Sequence, residues 1–237
     1  MLLVMIVLGL WIEERLGLAV VFSVAAVIVP CWPFVAVVFV PFAAHAIYHA
    51  GRKQSFSGVA RILAIGAVSG VVILGCVIAV DFLMYQKLVV AAWNIVKYNA
   101  LGESTGDNLY GVEPMSFYLK NLVLNLNVGA ALCVPFLPLF LWSFHVLPLV
   151  GLRLGLPPKL KPDVASADLI AYCSGGFLWL AVMLSRPHKE ERFLYVAYPF
   201  LLLGAAAAMA CLRVLIWNIV DKHLSTKRLP RQGFLSS

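Results

Sequence analysis

The feature that most constrains this chain is a series of apolar stretches, each about as long as a bilayer is thick. A transmembrane helix needs roughly 20 mostly apolar residues, because each residue advances only about 1.5 Å through a hydrocarbon core of about 30 Å. Four stretches meet this requirement clearly: residues 62–80, 122–150, 167–185 and 193–217. Lipid offers no partner to free backbone groups, and no stretch alternates with the period of a barrel strand. The predicted fold class is therefore all-α, a polytopic transmembrane helical bundle.

The first 50 residues are also apolar, but they do not predict a single straight span. As one helix, residues 16–50 would be about 52 Å long. Pro30, Pro33 and Pro41 interrupt this stretch, and proline breaks or kinks a helix because it lacks an N–H group. The segment 1–50 is therefore predicted to form a broken helix or a hairpin, and both alternatives stay open.

The basic residues of the connecting segments predict the orientation in the membrane. On one side, residues 51–61, 151–166 and the chain from Arg213 onward contain 11 Lys and Arg residues and two acids. On the other side, residues 81–120 and 186–192 contain six basic residues and six acids. Because Lys and Arg are enriched in cytoplasmic loops, the first set is predicted to be cytosolic. The membrane domain 51–217 then has a long luminal loop at 81–119, and a basic cytosolic tail follows at 218–237.

Composition excludes several classes of function. The chain has a net charge of +7, but its cations flank apolar stretches, so the predicted partner is membrane lipid and no nucleic acid. The spans are poor in ionisable residues, whereas transporters carry such residues along the substrate path. The sequence contains no HExxH, clustered Cys/His or dinucleotide-binding pattern. No metal site and no cofactor is therefore predicted.

The most distinctive polar segment is the turn 186–192, which joins two spans. His188, Lys189 and Arg192 are suited to binding a phosphate by charge-assisted hydrogen bonds, with Glu190 and Glu191 orienting them. The alternative is an interfacial turn in which the carboxylates and cations neutralise one another. Charge alone leaves the two interpretations open.

A second polar segment is the long loop 81–119 and the helix that follows it. Pro114 suits the first position of a helix, and Tyr118, Asn121 and Asn125 then share one helical face. Aromatic rings and amides suit a sugar site, but they also anchor helices at interfaces and join neighbouring helices. The candidate residues for a sugar or acceptor site are Tyr85, Trp93, Tyr110, Glu113, Tyr118, Asn121 and Asn125.

At these residues the sequence resembles a known family. His188–Phe193, HKEERF, is similar to the signature of the endoplasmic-reticulum mannosyltransferases that use dolichyl-phosphate-mannose, which are GT-C enzymes of glycosyltransferase family 22. The loop also resembles the branch that adds α-1,2-linked mannose to the dolichol-linked oligosaccharide. The residues that carry this second resemblance are Asp81, Tyr85, Lys87, Trp93-Asn94, Lys97-Tyr98-Asn99, Tyr110-Gly111, Glu113-Pro114, Tyr118-Leu119 and Asn121. The resemblance extends from about Trp32 to Trp217.

The resemblance implies a GT-C-like, multi-pass protein of the endoplasmic reticulum membrane. The implied reaction transfers mannose from dolichyl-phosphate-mannose to a dolichol-linked oligosaccharide in N-glycan precursor assembly. The family's acidic pair lies in a first luminal loop that is not recognisable in this chain. Asp81 and Glu113 are therefore the candidate catalytic carboxylates, and the chain is expected to be the C-terminal part of such an enzyme. The alternatives are an inactive fragment or assembly subunit of the family, or a mannosyltransferase of the GPI-anchor branch.

Overall fold

The computed structural model describes residues 1–30, 32–100, 111–135 and 166–227. Within these ranges every regular element is helical, which confirms the predicted all-α fold class. The α-helices are Leu2–Ile12 (α1), Leu16–Ile28 (α2), Val40–Tyr85 (α3), Ala91–Ala100 (α4), Met115–Leu126 (α5), Val128–Cys133 (α6), Ser166–Ser185 (α7) and Tyr198–Lys227 (α8). Two 3₁₀ helices, Pro33–Phe39 and Glu191–Val196, precede α3 and α8.

Three helical segments of the described ranges are long and apolar enough to cross a membrane. They are Pro33–Arg52, Phe56–Tyr85 and Tyr198–Trp217. Three further apolar helices of the described ranges are shorter: Leu2–Ile12, Leu16–Ile28 and, within α7, Leu169–Ser185. These segments agree with a membrane protein, because a bilayer core requires roughly 20 apolar residues per helix.

The N-terminal segment is interrupted between α2 and α3. Helix α2 ends at Ile28, and a 3₁₀ helix begins at Pro33. Proline has a fixed φ and no N–H, so it suits the first turn of a helix and not its interior. The prolines of this stretch therefore lie at the boundaries of the helical elements.

Residues 51–61, predicted as a connection, are helical and lie inside α3. Helix α3 does not run straight here. A short distance shows this: a Cβ atom on Gly51 would lie 3.6 Å from Cγ2 of Val59. Residues eight positions apart in a straight helix are separated by about 12 Å along its axis. The helix therefore turns sharply between a first arm, residues 40–52, and a second arm, residues 56–85.

The remaining elements differ from the predicted boundaries in three places. The predicted loop 81–119 includes the end of α3, all of α4 and the start of α5, and its residues 101–110 lie outside the described ranges. The predicted span 122–150 breaks at Asn127, whose φ of 46° ends α5, and its residues 136–150 are not described. The predicted span from residue 193 begins as a 3₁₀ helix, and α8 continues to Lys227, ten residues into the predicted tail.

The core forms where α1, the first arm of α3 and α7 meet. The indole of Trp11 lies edge-on to Phe42 and Tyr172, with ring centroids 5.2 and 4.7 Å apart. All three side chains are buried. Such edge-to-face packing is a favoured arrangement of aromatic rings, and it fixes the C-terminal half of α1 beside the first half of α7.

The two ends of the bundle differ in the residues that they carry. The turn 186–192 follows α7 directly, so it lies about 20 Å along the helix axis from Tyr172. Because Trp11 packs on Tyr172, the segment that follows Trp11, including Glu13 and Glu14, lies at the end opposite the turn. We call these the turn end and the opposite end.

Candidate functional site

The turn 186–192 is held against α7 by a buried indole. Trp179, which has no exposed surface, donates a hydrogen bond of 2.6 Å from Nε1 to the carbonyl oxygen of Phe193. The Phe193 N–H in turn donates to the Glu190 carbonyl. A buried indole N–H needs a partner, so this pair fixes where the chain leaves the turn and enters the second 3₁₀ helix.

Lys189 joins the turn to the end of the long loop. Its side chain is buried, with 7% of the residue exposed, and its ammonium group donates to the carbonyl oxygens of Arg186 and Glu113. The Glu113 N–H also donates to the Pro187 carbonyl, at 3.2 Å. The two predicted luminal segments therefore lie together, and Lys189 directs two of its three donors at backbone and not at the surface.

His188, Glu190 and Arg192 form a charged cluster at the surface. His188 Nε2 lies 2.9 Å from Oε1 of Glu190, and its Nδ1 lies 3.1 Å from the Gly111 carbonyl oxygen. Arg192 donates to the same carboxylate at 3.0 Å and also forms an ion pair with it. The turn thus neutralises part of its own charge, as the ion-pair alternative expected, while much of the Arg192 side chain stays exposed.

These contacts shift two pKa values in opposite directions. The hydrogen bond to Glu190 raises the pKa of His188 above its ordinary value of 6.5, against a smaller opposing effect of desolvation. The hydrogen bond from His188 is the main cause that lowers the pKa of the Glu190 carboxyl below 4.5. A raised histidine pKa favours the charged ring in the folded state.

We expect the cluster to make the folded chain less stable as the pH rises above neutrality. The contribution of His188 is complete below its unfolded pKa and is lost as the pH rises through its higher folded pKa. The contribution of Glu190 is lost only as the pH falls through its lowered folded pKa. The measurement is the melting temperature of the chain in detergent at about pH 6 and about pH 9. In His188→Gln, the melting temperatures at the two pH values should differ less than in wild type. An equally large difference in the variant and in wild type would contradict the prediction.

Helix α5 presents two predicted residues to the turn. The Tyr118 hydroxyl, on a fully buried side chain, accepts a hydrogen bond of 3.3 Å from the Glu190 N–H. Asn125 donates to Glu191 Oε1 at 3.0 Å and to the Tyr198 hydroxyl at 3.1 Å. Burial, the largest cause, raises the pKa of Tyr118 to about 12, so this phenol stays protonated. Asn121 instead donates to the Phe117 carbonyl within α5.

The two candidate carboxylates lie in different surroundings. Glu113 is exposed, and its backbone is bonded to the turn through Pro187 and Lys189. Asp81 lies near the end of α3, and its Oδ2 is buried without a hydrogen-bond partner. The described contacts bring Glu113, and not Asp81, to the turn.

Three further predicted residues are not brought to the turn by any described contact. Tyr85 and Trp93 are exposed, at the end of α3 and the start of α4 respectively. Tyr110 lies outside the described residues. Among the described residues, no group of three His, Cys, Asp or Glu side chains is placed to hold a metal ion.

Two apolar grooves flank the turn on either side of an aromatic pair. The rings of Trp32 and Phe193 lie 4.9 Å apart between centroids. One groove, of about 370 Å³, has apolar walls from α1, α2 and α7 and carries Arg192. The other, of about 120 Å³, is lined by apolar residues together with Arg186 and His188. Each groove therefore combines an apolar wall with a cationic or potentially cationic group.

Sequence reasoning missed three residues of this site: Trp32, Trp179 and Arg186. Trp32 and Trp179 are aromatic residues within apolar segments, where nothing local separates a core indole from one that supports a site. Arg186 belongs to the predicted turn, but it was not assigned a role. Its place in the smaller groove depends on how the 3₁₀ helix 33–39 packs on α7.

Comparison with known proteins identifies the family. The model of the Alg9-like mannosyltransferase family matches residues 1–234. This chain belongs to that family. The recognition based on the HKEERF turn is therefore confirmed. The comparison with solved structures found no match.

Relatives of this family member carry functional names. The α-1,2-mannosyltransferases ALG9 of Mus musculus and Homo sapiens are each 35% identical to it over 209 and 212 residues, or 86% of the chain. The Dol-P-Man:Man(7)GlcNAc(2)-PP-Dol α-1,6-mannosyltransferase of Drosophila melanogaster is 29% identical to it. This match covers 69% of the chain and 19% of the length of that relative. The matched region spans 30% of the length of the mouse and human relatives.

Proposed function

We propose that this Alg9-like chain forms the donor-binding face of an endoplasmic-reticulum α-1,2-mannosyltransferase. Such an enzyme transfers mannose from dolichyl-phosphate-mannose to a dolichol-linked oligosaccharide during assembly of the N-glycan precursor. The observation that carries the proposal is the pair of apolar grooves beside Trp32 and Phe193, each with Arg192 or with Arg186 and His188 in its lining. A lipid phosphate needs this combination of an apolar wall and a cation.

The grooves suit the two chemical parts of the donor. An isoprenoid chain gains free energy from contact with apolar walls, and its phosphate gains charge-assisted hydrogen bonds from guanidinium groups. Arg192 and Arg186 are both exposed, so an incoming phosphate can reach them. Glu190 orients Arg192 and His188. We assign Lys189 mainly to holding the turn, since two of its three donors bind backbone carbonyls.

The same groups have a role in the transfer step. The acceptor hydroxyl attacks the anomeric carbon of mannose, the bond from that carbon to the phosphate oxygen breaks, and dolichyl phosphate leaves with the bonding electron pair. Negative charge therefore grows on the phosphate, where cations stabilise the transition state more than the ground state. A carboxylate that accepts the hydroxyl proton is needed as general base.

Glu113 is the stronger of the two candidates for that base. It is exposed and its backbone is bonded to the turn, whereas no described contact joins Asp81 to it. Tyr118 and Asn125, which also contact the turn, are proposed to position the sugar or the acceptor. Tyr85, Trp93, Tyr110 and Asn121 remain sequence-based candidates for the same role.

The turn end is proposed to face the lumen, as the distribution of Lys and Arg predicts. Glycosylation sequons engineered near Thr105 and in the C-terminal tail test this orientation in microsomes. We expect the sequon near Thr105 to be modified and the one in the tail to stay unmodified. The reverse pattern would contradict both the orientation and the luminal location of the chemistry.

We expect Arg192→Gln to weaken binding of dolichyl-phosphate-mannose by roughly tenfold or more. The reason is that a hydrogen bond to a charged group contributes about 1.5–3 kcal/mol. The measurement is titration of the donor into the chain reconstituted in phosphatidylcholine nanodiscs. Arg52→Gln is the matched control, because Arg52 is exposed and bonds to Tyr48 far from the turn. Equal donor affinity in wild type and Arg192→Gln would contradict the prediction. It would support the alternative in which the carboxylates and cations of the turn only neutralise one another.

A further inference from the structure

A cavity lined by several ionisable residues lies at the opposite end of the bundle. Its volume is about 460 Å³, and it is bounded by the α1–α2 connection, the start of α2 and both arms of α3. The sharp turn within α3 creates it, because that turn brings the second arm back beside the first. The ionisable residues that line it are Glu14, Arg15, His45, His49 and Arg61.

This cavity is separate from the site at the turn end. Trp11, whose side chain packs on the first half of α7, precedes Glu14 and Arg15 by only one turn of chain. The turn 186–192 begins about 20 Å away along α7. The cavity therefore has no part in donor binding at the turn end, and its ligand can be tested independently of mannose transfer.

The charge of the cavity favours an anion. Arg15, the N-cap residue of α2, and Arg61, in the second arm of α3, both line it, against the single carboxylate of Glu14. Arg15 is only loosely engaged by Glu13, at 3.9 Å between largely exposed side chains. The first turn of α2 adds partial positive charge, since its N-cap residue provides no side-chain hydrogen bond. Two guanidinium groups on separate elements can bind one anion from two directions.

The histidine side of the cavity is fixed by the buried core. Trp11, which is 1% exposed, donates from Nε1 to Nδ1 of His45 at 2.9 Å. Because Nδ1 accepts this bond, the ring proton of His45 is on Nε2, which makes Nε2 a donor. The His45 and His49 rings lie against each other at a tilt of 30°, with centroids 4.1 Å apart. The core therefore fixes the orientation of the His45 ring in the cavity wall, beside the two arginines.

The remaining walls are apolar and belong to membrane helices. Leu16, Leu18, Ile62 and Ile65 line the cavity, and the second arm of α3 is a candidate span with no buried residues in its most apolar window. A hydrocarbon chain can therefore lie along these walls while an anionic group meets Arg15 and Arg61. A soluble anion would gain nothing from them.

We infer that this cavity binds the phosphate headgroup of an anionic lipid in the membrane leaflet at the opposite end of the bundle. Arg15 and Arg61 hold the phosphate oxygens, and the acyl chains pack on α2 and the second arm of α3. Basic pockets between membrane helices commonly bind acidic headgroups in this way. The site is distinct from the donor site and requires no mannosyl transfer.

The test measures lipid retention by the full chain. The chain is reconstituted in vesicles of phosphatidylcholine that contain a minor fraction of phosphatidic acid, and it is then extracted in mild detergent. Native mass spectrometry measures the mass of the extracted protein and so identifies the lipid that stays bound. Wild type should retain phosphatidic acid in preference to phosphatidylcholine. Arg15→Gln combined with Arg61→Gln should reduce that preference by roughly tenfold, since each cation near a membrane surface contributes to binding anionic lipid.

The control is a double substitution of the same charge outside the cavity, Arg52→Gln with Arg213→Gln, because both arginines are exposed and neither lines it. This variant should keep the preference, and circular dichroism of both variants should match wild type. Equal loss in the control would show that surface charge, and not the cavity, recruits the lipid, which overturns the site. An unchanged preference in the Arg15/Arg61 variant also overturns it. Displacement of phosphatidic acid by millimolar inorganic phosphate alone would reassign the cavity to a soluble phosphate and overturn the lipid assignment.

Discussion

Replacing Lys189 with methionine should release the turn 186–192 from the long loop. Methionine fills a similar volume but donates nothing, so the carbonyls of Arg186 and Glu113 lose their buried partner. A hydrogen bond to a charged group contributes about 1.5–3 kcal/mol, and Lys189→Met removes two of them. We expect a markedly lower melting temperature in detergent and loss of donor binding of at least tenfold.

The matched control is Lys120→Met, since Lys120 is an exposed lysine on α5, near the same end of the bundle. It removes the same charge without removing a buried hydrogen bond, so stability should change little. If both variants lost stability equally, net charge would be the cause, and the proposed structural role of Lys189 would be contradicted. If Lys189→Met lost donor binding without losing stability, Lys189 would contact the phosphate directly, as the sequence predicted.

Gly175→Ala should be strongly destabilising, because among the glycines of the described ranges Gly175 makes the closest approach to a backbone atom of another element. A Cβ atom at Gly175 would lie 2.4 Å from the Val38 carbonyl oxygen and 3.2 Å from Cε1 of Phe200. The nearest atom is backbone, so relief requires α7 to move away from the 3₁₀ helix 33–39. Overpacking of this kind costs typically about 1–3 kcal/mol. The measurement is the melting temperature, together with the yield of monodisperse protein in detergent.

Gly75→Ala provides the control for this substitution. Gly75 also lies inside an apolar helix, but a Cβ there meets nothing within 4 Å. Alanine favours a helix over glycine by about 1 kcal/mol, so this variant should be neutral or slightly more stable. Equal melting temperatures for Gly175→Ala and wild type would show that α7 and the 3₁₀ helix do not approach as closely as described.

The sequence was a good guide to the fold class and a poorer guide to helix boundaries. Hydropathy alone separates membrane helices from loops, and α7 matches the predicted 167–185 closely. It does not show that residues 51–61 stay helical, because their polar side chains fit a solvated helical turn as well as a loop. The break at Asn127 was also missed. Asparagine tolerates a positive φ better than most residues, but a single asparagine inside an apolar stretch gives little indication that it will.

The site was predictable in its residues and not in their partners. The HKEERF turn indicated the family through its similarity to the family signature, whereas its charge alone left two interpretations open. The sequence alone did not distinguish the roles of Lys189 and Arg192. Lys189 donates hydrogen bonds to backbone carbonyls, whereas Arg192 is exposed. That division depends on residues 111–113 reaching the turn across more than 70 positions of chain. The contacts of Trp179 and Trp32 with Phe193 depend on tertiary packing in the same way.

The pairing of charges within the turn has a consequence for how the protein is made. On the proposed orientation, a nascent helical hairpin of α7 and α8 has to carry this turn through the membrane during insertion. The turn contains three permanent cations, which resist translocation, and two carboxylates beside them. Glu190 lies within bonding distance of both His188 and Arg192, so a compact turn presents less unpaired charge to the translocation channel than an extended one. The carboxylates of the HKEERF motif would then contribute during biosynthesis, before any substrate is bound.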